Sequence, residues 1–318
     1  MPHVGDNEVM IRNHYVGLNP IDWKSVDYNF CLPAFPWVIG RESSGEVVKV
    51  GCDVQGLRPG DKVWTSTYYR DLRAGCFQEY VVVPGHTALL IPETLSMQAA
   101  ACLGVAAITA SMTLWRWLQV PVPGDDSKAA SVADSEADWL LIWGGSTITG
   151  QFATQLAVLS GLRVVTVNSA LTAELSRSLG AHYVVVRDGK SSEELIHEIR
   201  TVTGGRITRA IDLVGQKTAS LVLQAVAHDR PVHFAPLAMM AANEVVPDNV
   251  TAHTVEMKQF VLNPASASYA DALNRLLADN KLVLPSLEVL EGSFPAVMEG
   301  LERLKKGNMG GKKLIVKV

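Results

Sequence analysis

The stretch Asp138-Trp-Leu-Leu-Ile-Trp-Gly-Gly-Ser-Thr-Ile-Thr-Gly150, running on into Gln151-Phe-Ala-Thr-Gln-Leu-Ala-Val-Leu-Ser160, decides the fold. The apolar run from Trp139 to Trp143 reads as a buried strand. A glycine-bearing turn follows, then a helical pattern with Phe152, Leu156 and Leu159 on one face. Such a turn aims a helix N-terminus past the end of the strand. The first N–H groups of a helix have no intrahelical partner, and the helix dipole favours an anion there. In the G-x-G-x-x-G frame the three positions are Gly145, Thr147 and Gly150. The middle glycine is absent, so the turn alone is a weak signal. It suits a pyrophosphate site, and it also suits a tight turn that binds nothing.

The rhythm that follows strengthens the first reading. Helix 151–160, strand 163–168, helix 170–179, strand 183–187, helix 192–202 and strand 209–213 alternate with short connections. Alternation of this kind predicts a parallel sheet covered on both faces, an α/β doubly wound Rossmann arrangement. Strand 163–168 ends where an acidic residue, about 20 positions after the turn, would bind an adenosine ribose 2′-hydroxyl. The residue there is Asn168, followed by Ser169. With no carboxylate at that point a 2′-phosphate is not repelled, so NADPH is favoured over NADH.

Bulk properties narrow the function classes. The 318 residues suggest two domains, and 48% hydrophobic residues are enough for real cores. A net charge of −4 gives no reason to expect nucleic acid or an anionic membrane as partner. No apolar run approaches the ~20 residues that span a bilayer, and the first residues carry neither a basic nor an apolar signal region. A cytoplasmic protein is expected. Cys31, Cys52, Cys76 and Cys102 are widely spaced and form no C-x-x-C pair, so reduced thiols acting as small core residues are expected.

The flanking regions differ from the middle. Strands over 8–15, 45–50 and 77–83, broken by Gly and Pro, predict an antiparallel, partly open β-barrel. A helix is expected over 96–119 and an exposed polar loop over 120–137. The last strands of the open sheet are expected at 231–235 and 254–262. A helix over 268–279, a strand at 287–290, a helix near 295–306 and a strand at 313–318 returning to the first domain complete the reading. The domains then run over 1–105 with 265–318, and over 106–264.

Several segments now coincide in order: Gly17-Leu-Asn-Pro-Ile-Asp-Trp-Lys24, Gly40-Arg-Glu-Ser-Ser-Gly45, Leu57-Arg-Pro-Gly-Asp-Lys-Val63, Ala99-Ala-Ala-Cys-Leu-Gly104, the turn at 144–150 and Gly311-Lys-Lys-Leu-Ile-Val316. Together they resemble the medium-chain dehydrogenase/reductase superfamily in its zinc-free quinone/enoyl reductase branch, with a GroES-like β domain. Trp143-Gly-Gly-Ser-Thr147 and the Pro-containing loop before it resemble the fungal trans-acting enoyl reductases of polyketide assembly. Zinc relatives carry a cysteine near Asn19-Pro-Ile-Asp22 and a histidine in a G-H-E motif. Here Arg41 holds the latter position, and a guanidinium is not a zinc ligand. No metal is expected.

The resemblance implies NADPH as cofactor, held by Gly144, Gly145, Ser146, Thr147, Thr149 and Gly150 at the phosphates. It implies Asn168, Ser169, Arg177 and Tyr183 at the adenosine end, and Val214, Pro236 and Lys313 toward the nicotinamide. Lys24, Thr109 and Asn19 match positions bordering the reaction. Lys24 either stabilises an enolate or holds the ribose, or it is an exposed lysine; Asn19 is either a site residue or a turn residue before Pro20. Arg177 and Lys313 have equally ordinary readings as a helix-surface charge and a strand-edge lysine. Tyr68 and Tyr69 either line a substrate cleft or pack as core.

Two departures stand out. The family has about one hairpin more before Asn19, and Ala227-His-Asp-Arg-Pro-Val-His-Phe-Ala-Pro236 lacks the glycines usual near the nicotinamide. Three functions therefore remain open. The first is an enoyl reductase on a small-molecule or carrier-bound polyketide, with a polyketide synthase as partner. The second is a free-standing quinone or enone reductase. The third is a redox-silent member acting as a cyclase or partner protein.

Overall fold

The computed structural model describes residues 1–124 and 138–318. Along the chain the strands are β1 (Glu8–Gly17), β2 (Glu42–Val50), β3 (Lys62–Ser66), β4 (Tyr80–Pro84), β5 (Ala88–Leu90), β6 (Trp139–Trp143) and β7 (Arg163–Asn168). They continue as β8 (Tyr183–Val186), β9 (Ile207–Asp212), β10 (Val232–Pro236), β11 (Val250–Ala252), β12 (Leu287–Leu290) and β13 (Lys313–Lys317). The longer helices are α1 (Pro20–Asp27), α2 (Ile148–Leu159), α3 (Ala173–Ser178), α4 (Ser192–Thr203), α5 (Gln216–Ala225), α6 (Ala267–Ala278) and α7 (Pro295–Lys306). The chain forms two compact units, Met1–Ile108 with Met257–Val318, and Thr109–Glu256.

The first unit is built on one mostly antiparallel sheet, in the order β12-β13-β1-β2-β3-β5 with β4 also paired to β1. Alternating residues of these strands point inward. Val9, Ile11, Val47, Val63, Val81, Val83, Leu314 and Val316 share one buried cluster, as period-2 patterning requires. β13 lies beside the end of β1, with Val16 opposite Val316. That pairing carries Lys313, the first residue of β13, to the start of α1, and Leu18 N donates to Leu314 O at 3.1 Å. Pro20 opens α1 at its first position, where a missing N–H costs nothing.

The second unit is a parallel sheet in the order β11-β10-β9-β6-β7-β8. This is the 3-2-1-4-5-6 order of the doubly wound fold, in which the strand order reverses beside β6. β6 is buried at all five residues, as an all-apolar central strand must be. The crevice at a doubly wound sheet opens at the carboxyl ends of the strands flanking that reversal. Here those ends are Gly144 after β6, Asn168 on β7 and Leu213–Val214 after β9. No described helix is long and apolar enough to cross a membrane.

Several expectations change. The segment expected as strand 254–262 is not one. The sheet ends on β11, His253 N donates to Phe234 O at 2.8 Å, and Lys258–Leu262 then coils into a short helix of the first unit. Phe260 and Val261 are buried as neighbours on that helix. The helix expected over 96–119 is broken: Met97–Ala100 is separate, and Leu103–Trp117 carries wide turns at both ends. Cys76 and Cys102 are buried as expected, but Cys31 and Cys52 are exposed. Most of the loop expected over 120–137 lies outside the described residues.

Candidate functional site

In the second unit the glycine turn has a defined construction. Gly144 sits at φ +92°, a conformation open to glycine, and its N–H donates to Val167 O at 3.0 Å. Thr147 caps α2. Its Oγ1 accepts from Gly150 N at 3.1 Å and donates to Gly144 O at 2.9 Å. The threonine in the middle-glycine position is thus used locally, and the N–H groups of Ile148 and Thr149 open the helix without intrahelical acceptors. A Cβ on Gly145 would stand 2.6 Å from Thr166 Cβ, and one on Gly150 would stand 2.5 Å from Gly144 O. Both glycines are there for closeness. Ser146 and Thr149 are part-exposed on the same turn. Val214 is exposed, with its Cγ2 3.0 Å from the Cβ position of Gly144. Pro236 lies on β10 opposite Asp212, and Leu237 N donates to Asp212 O at 2.9 Å.

At the ends of β7 and β8 the side chains depart from expectation. Asn168 is buried and turned inward, its Nδ2 donating to Thr172 O at 3.2 Å and to Ser176 Oγ. Its Oδ1 is shielded and lacks a donor among the described residues, 2.9 Å from the Cβ position of Gly145. Ser169 Oγ bonds Thr172 Oγ1 at 3.1 Å. A carboxylate does stand here: Asp188, just beyond β8, accepts from Ala170 N. Spacing from the turn gave no hint of it, because it comes from the third strand of the half-sheet. Arg177 is exposed and pairs with Glu174 at 3.2 Å, while Tyr183 donates to Glu198 at 3.3 Å. Both are directed to local partners.

The first unit holds a buried polar network around Asn19. Lys313 Nζ donates to Glu42 Oε1, and to Asn19 Oδ1 at 2.8 Å. Asn19 Nδ2 donates to Glu42 Oε1 at 2.8 Å, and Glu42 Oε2 accepts from Val105 N at 2.8 Å. Asn19 N donates to Asp22 Oδ2 at 2.8 Å, the backbone half of a capping box. Tyr69 donates to Asp22 Oδ1 at 3.2 Å and accepts from Gly40 N at 3.1 Å. Lys313 and Asn19 are therefore enclosed rather than presented. Lys24 is half-buried on α1, its Nζ 5.7 Å from the centre of the Trp23 ring, and Thr109 is buried at the start of the second unit. Sequence reasoning passed over Glu42 and Asp22. The Asn19-x-x-Asp22 spacing was the available signal for Asp22.

Burial pushes the Asp22 carboxyl up to about 7, against the downward pull of the Asn19 N–H and the Arg41 and Lys313 charges. Burial, and then the Asp22 charge, raise the Tyr69 phenol. A folded-state value above the ordinary 3.8 means that between the two values the folded chain holds a proton the unfolded chain has lost. This contribution to stability is complete below about pH 4, falls as pH rises, and is gone above about 7. Asp22→Asn keeps an acceptor for Asn19 N and removes the titration. Unfolding followed from pH 4 to 8 is expected to show wild type losing on the order of 4 kcal/mol more than the variant. Parallel pH profiles would refute the assignment.

Among the described residues the His, Cys, Asp and Glu groups close enough to share a cation are Asp6, Cys52 and Asp53, all exposed. The Arg41 guanidinium lies 4.3 Å from the centre of the Tyr69 ring.

A nucleotide-type turn on a doubly wound sheet, joined to a β-rich unit into which the chain returns, defines an oxidoreductase architecture of the medium-chain type. The chain belongs to the medium-chain dehydrogenase/reductase family. Residues 5–93 match the alcohol dehydrogenase GroES-like domain and residues 149–278 the zinc-binding dehydrogenase domain. It is 30% identical to dehydrogenase azaJ of Aspergillus niger over 99% of this chain and 92% of that protein. It is 28% identical to trans-enoyl reductase buaC of Petromyces alliaceus, over 98% of this chain and 90% of that one. In structure it is similar to an Escherichia coli quinone oxidoreductase solved with NADPH, with a TM-score of 0.80, 17% identity, and 100% and 94% of the two chains covered.

Proposed function

We propose that this chain is an NADPH-dependent, zinc-independent enoyl reductase that acts in trans on an α,β-unsaturated polyketide thioester, as a cytoplasmic partner of a polyketide synthase. The observation that carries the reading is the Gly144–Gly150 turn at the reversal point of the sheet, in a chain similar over nearly its whole length to a trans-enoyl reductase. When bound, NADPH supplies the hydride. The chain's own residues do the rest. Gly144, Gly145 and Gly150 let the backbone approach the pyrophosphate, and the N–H groups at Ile148 and Thr149 receive it, with Ser146 and Thr147 shaping the turn. Asn168, Ser169, Arg177 and Tyr183 border the adenosine, and Val214 and Pro236 the nicotinamide. Asp188 opposes a further negative charge beside Ser169, so Arg177 must leave Glu174 to favour the 2′-phosphate.

In the β-rich unit Asn19 and Lys313 act as positioning residues through the buried network and Lys24 remains a candidate to touch substrate; Thr109, in the second unit, is the other candidate. The absence of a zinc ligand at Arg41 supports reduction driven by placement and hydrogen bonding instead of a metal. The likeness to a quinone oxidoreductase supports one alternative, a free-standing quinone or enone reductase.

The test is loss of NADPH absorbance with crotonyl-N-acetylcysteamine, with a benzoquinone and with neither. Turnover of the thioester at least 10-fold above the quinone is expected. The reverse order selects the alternative. Cofactor oxidation with neither substrate class would defeat both.

A further inference from the structure

Beside the buried network of the first unit, Arg41 has side-chain donors that are not accounted for among the described residues. Its side chain starts β2's approach strand, opposite Thr67, whose N–H donates to Arg41 O at 2.9 Å. The adjoining pair, Glu42 and Ser66, is in register on antiparallel strands, so Arg41 and Thr67 stand side by side on one face. The guanidinium lies over the Tyr69 ring at 4.3 Å and near Tyr68 at 5.9 Å. An aromatic face steadies the charge but accepts none of the in-plane N–H groups. Nε and Nη2 are shielded from solvent and have no acceptor among the described residues, and neither has Thr67 Oγ1.

Those two nitrogens form the side-on fork of a guanidinium, the edge that meets a carboxylate with two parallel hydrogen bonds. The nearest carboxyl does not fill it. Both Asp22 oxygens are engaged, by Tyr69 and by Asn19 N. Burial also holds Asp22 up to about 7, so its charge offsets Arg41 only in part. Glu42 is held by Lys313, Asn19 and Val105. The Tyr69 hydroxyl takes a hydrogen bond from the Arg41 guanidinium, but the Nε–Nη2 edge has no acceptor among the described residues and stands beside a hydroxyl without a partner, a donor set in want of an oxygen ligand.

We propose that the Arg41 fork and the Thr67 hydroxyl bind the carboxylate or thioester carbonyl oxygen of an α,β-unsaturated acyl compound. The acyl identity rests on the enoyl reductase reading; the oxyanion site does not. Arg41 is part-exposed while Nε and Nη2 are shielded, so ligand binding requires its side chain to move off Tyr69. On reduction of a bound enoyl thioester, hydride joins the β carbon, the C=C electron pair passes to the carbonyl oxygen as an enolate, and the α carbon then takes a proton from water. The fork meets the oxygen on which that charge gathers.

The probe is sodium crotonate, titrated by calorimetry into the full chain without cofactor. Saturable binding is expected. Arg41→Gln should weaken it at least 10-fold, Arg41→Lys several-fold because the charge survives but the fork does not, and Thr67→Val about 3-fold. No crotonate binding to wild type, or wild-type affinity in Arg41→Lys, overturns the site. If Arg41→Gln fails to fold, Thr67→Val decides: unchanged affinity overturns the proposal. Thioester turnover is read on the same proteins. Crotonate binding that needs Arg41, in a chain that reduces no enoyl thioester, would keep the site and remove the reductase reading.

Discussion

Lys313→Met is expected to cost about 3–5 kcal/mol of stability, the range for removing one partner of a buried ion pair. The Lys313 side chain is 2% exposed and that of Glu42 is 0% exposed. Without the ammonium, Glu42 keeps the Asn19 amide and Val105 N–H but carries an uncompensated buried charge. It must then take up a proton or draw in water, and the contact between β13, β2 and the start of α1 loosens. Glu42→Gln in the same chain removes the stranded charge and is expected to recover most of the loss, since the two positions share one network. Urea unfolding of both single variants and the double variant provides the measurement. A double variant as unstable as the sum of the singles would show that the charges act separately.

The second unit was legible in the sequence because its signals are local. Trp139–Trp143 is apolar throughout, the turn carries its glycines, and β6, β7, β8 and β9 are each followed by a helix, so hydrophobic pattern alone gives order and class. The β-rich network was not legible, because Asn19, Asp22, Glu42, Tyr69 and Lys313 meet only when β13 returns to β1. Lys313 was noticed through resemblance and assigned outward toward a ligand, whereas the pairing of β13 turns it into the protein. Asn168 shows a related limit. Its position at the strand end was right, but spacing cannot tell whether a short amide faces out or caps the next helix, and here Thr172 and Ser176 take it. The error at 254–262 arose because Val255, Met257 and Val261 alternate like a strand, while the sheet had already ended on β11.

Gly150→Ala is expected to weaken NADPH binding by about 10²-fold or more while costing only about 1–3 kcal/mol of stability, as overpacking does. The added Cβ would lie 2.5 Å from Gly144 O, 2.8 Å from Gly145 O and 2.9 Å from Gly145 C, all backbone atoms. No side-chain rotation relieves that contact, so the turn itself must move. It is held by Gly144 N to Val167 O and by the Thr147 cap to Gly150 N, so movement tilts the first turn of α2. Hydrogen bonds to a charged ligand contribute about 1.5–3 kcal/mol each, and misaligning two of them accounts for the loss in affinity. The fold suffers less, because β6 and its core neighbours lie on the other side of the turn. Gly161→Ala is the control: it lies just past the other end of α2 and has open space around its Cβ, so its φ of +83° costs stability and leaves NADPH affinity unchanged. Fluorescence titration with NADPH, set beside thermal unfolding of both variants, separates the two effects. Wild-type NADPH affinity in a folded Gly150→Ala chain would mean that the turn packs a strand against a helix and binds nothing.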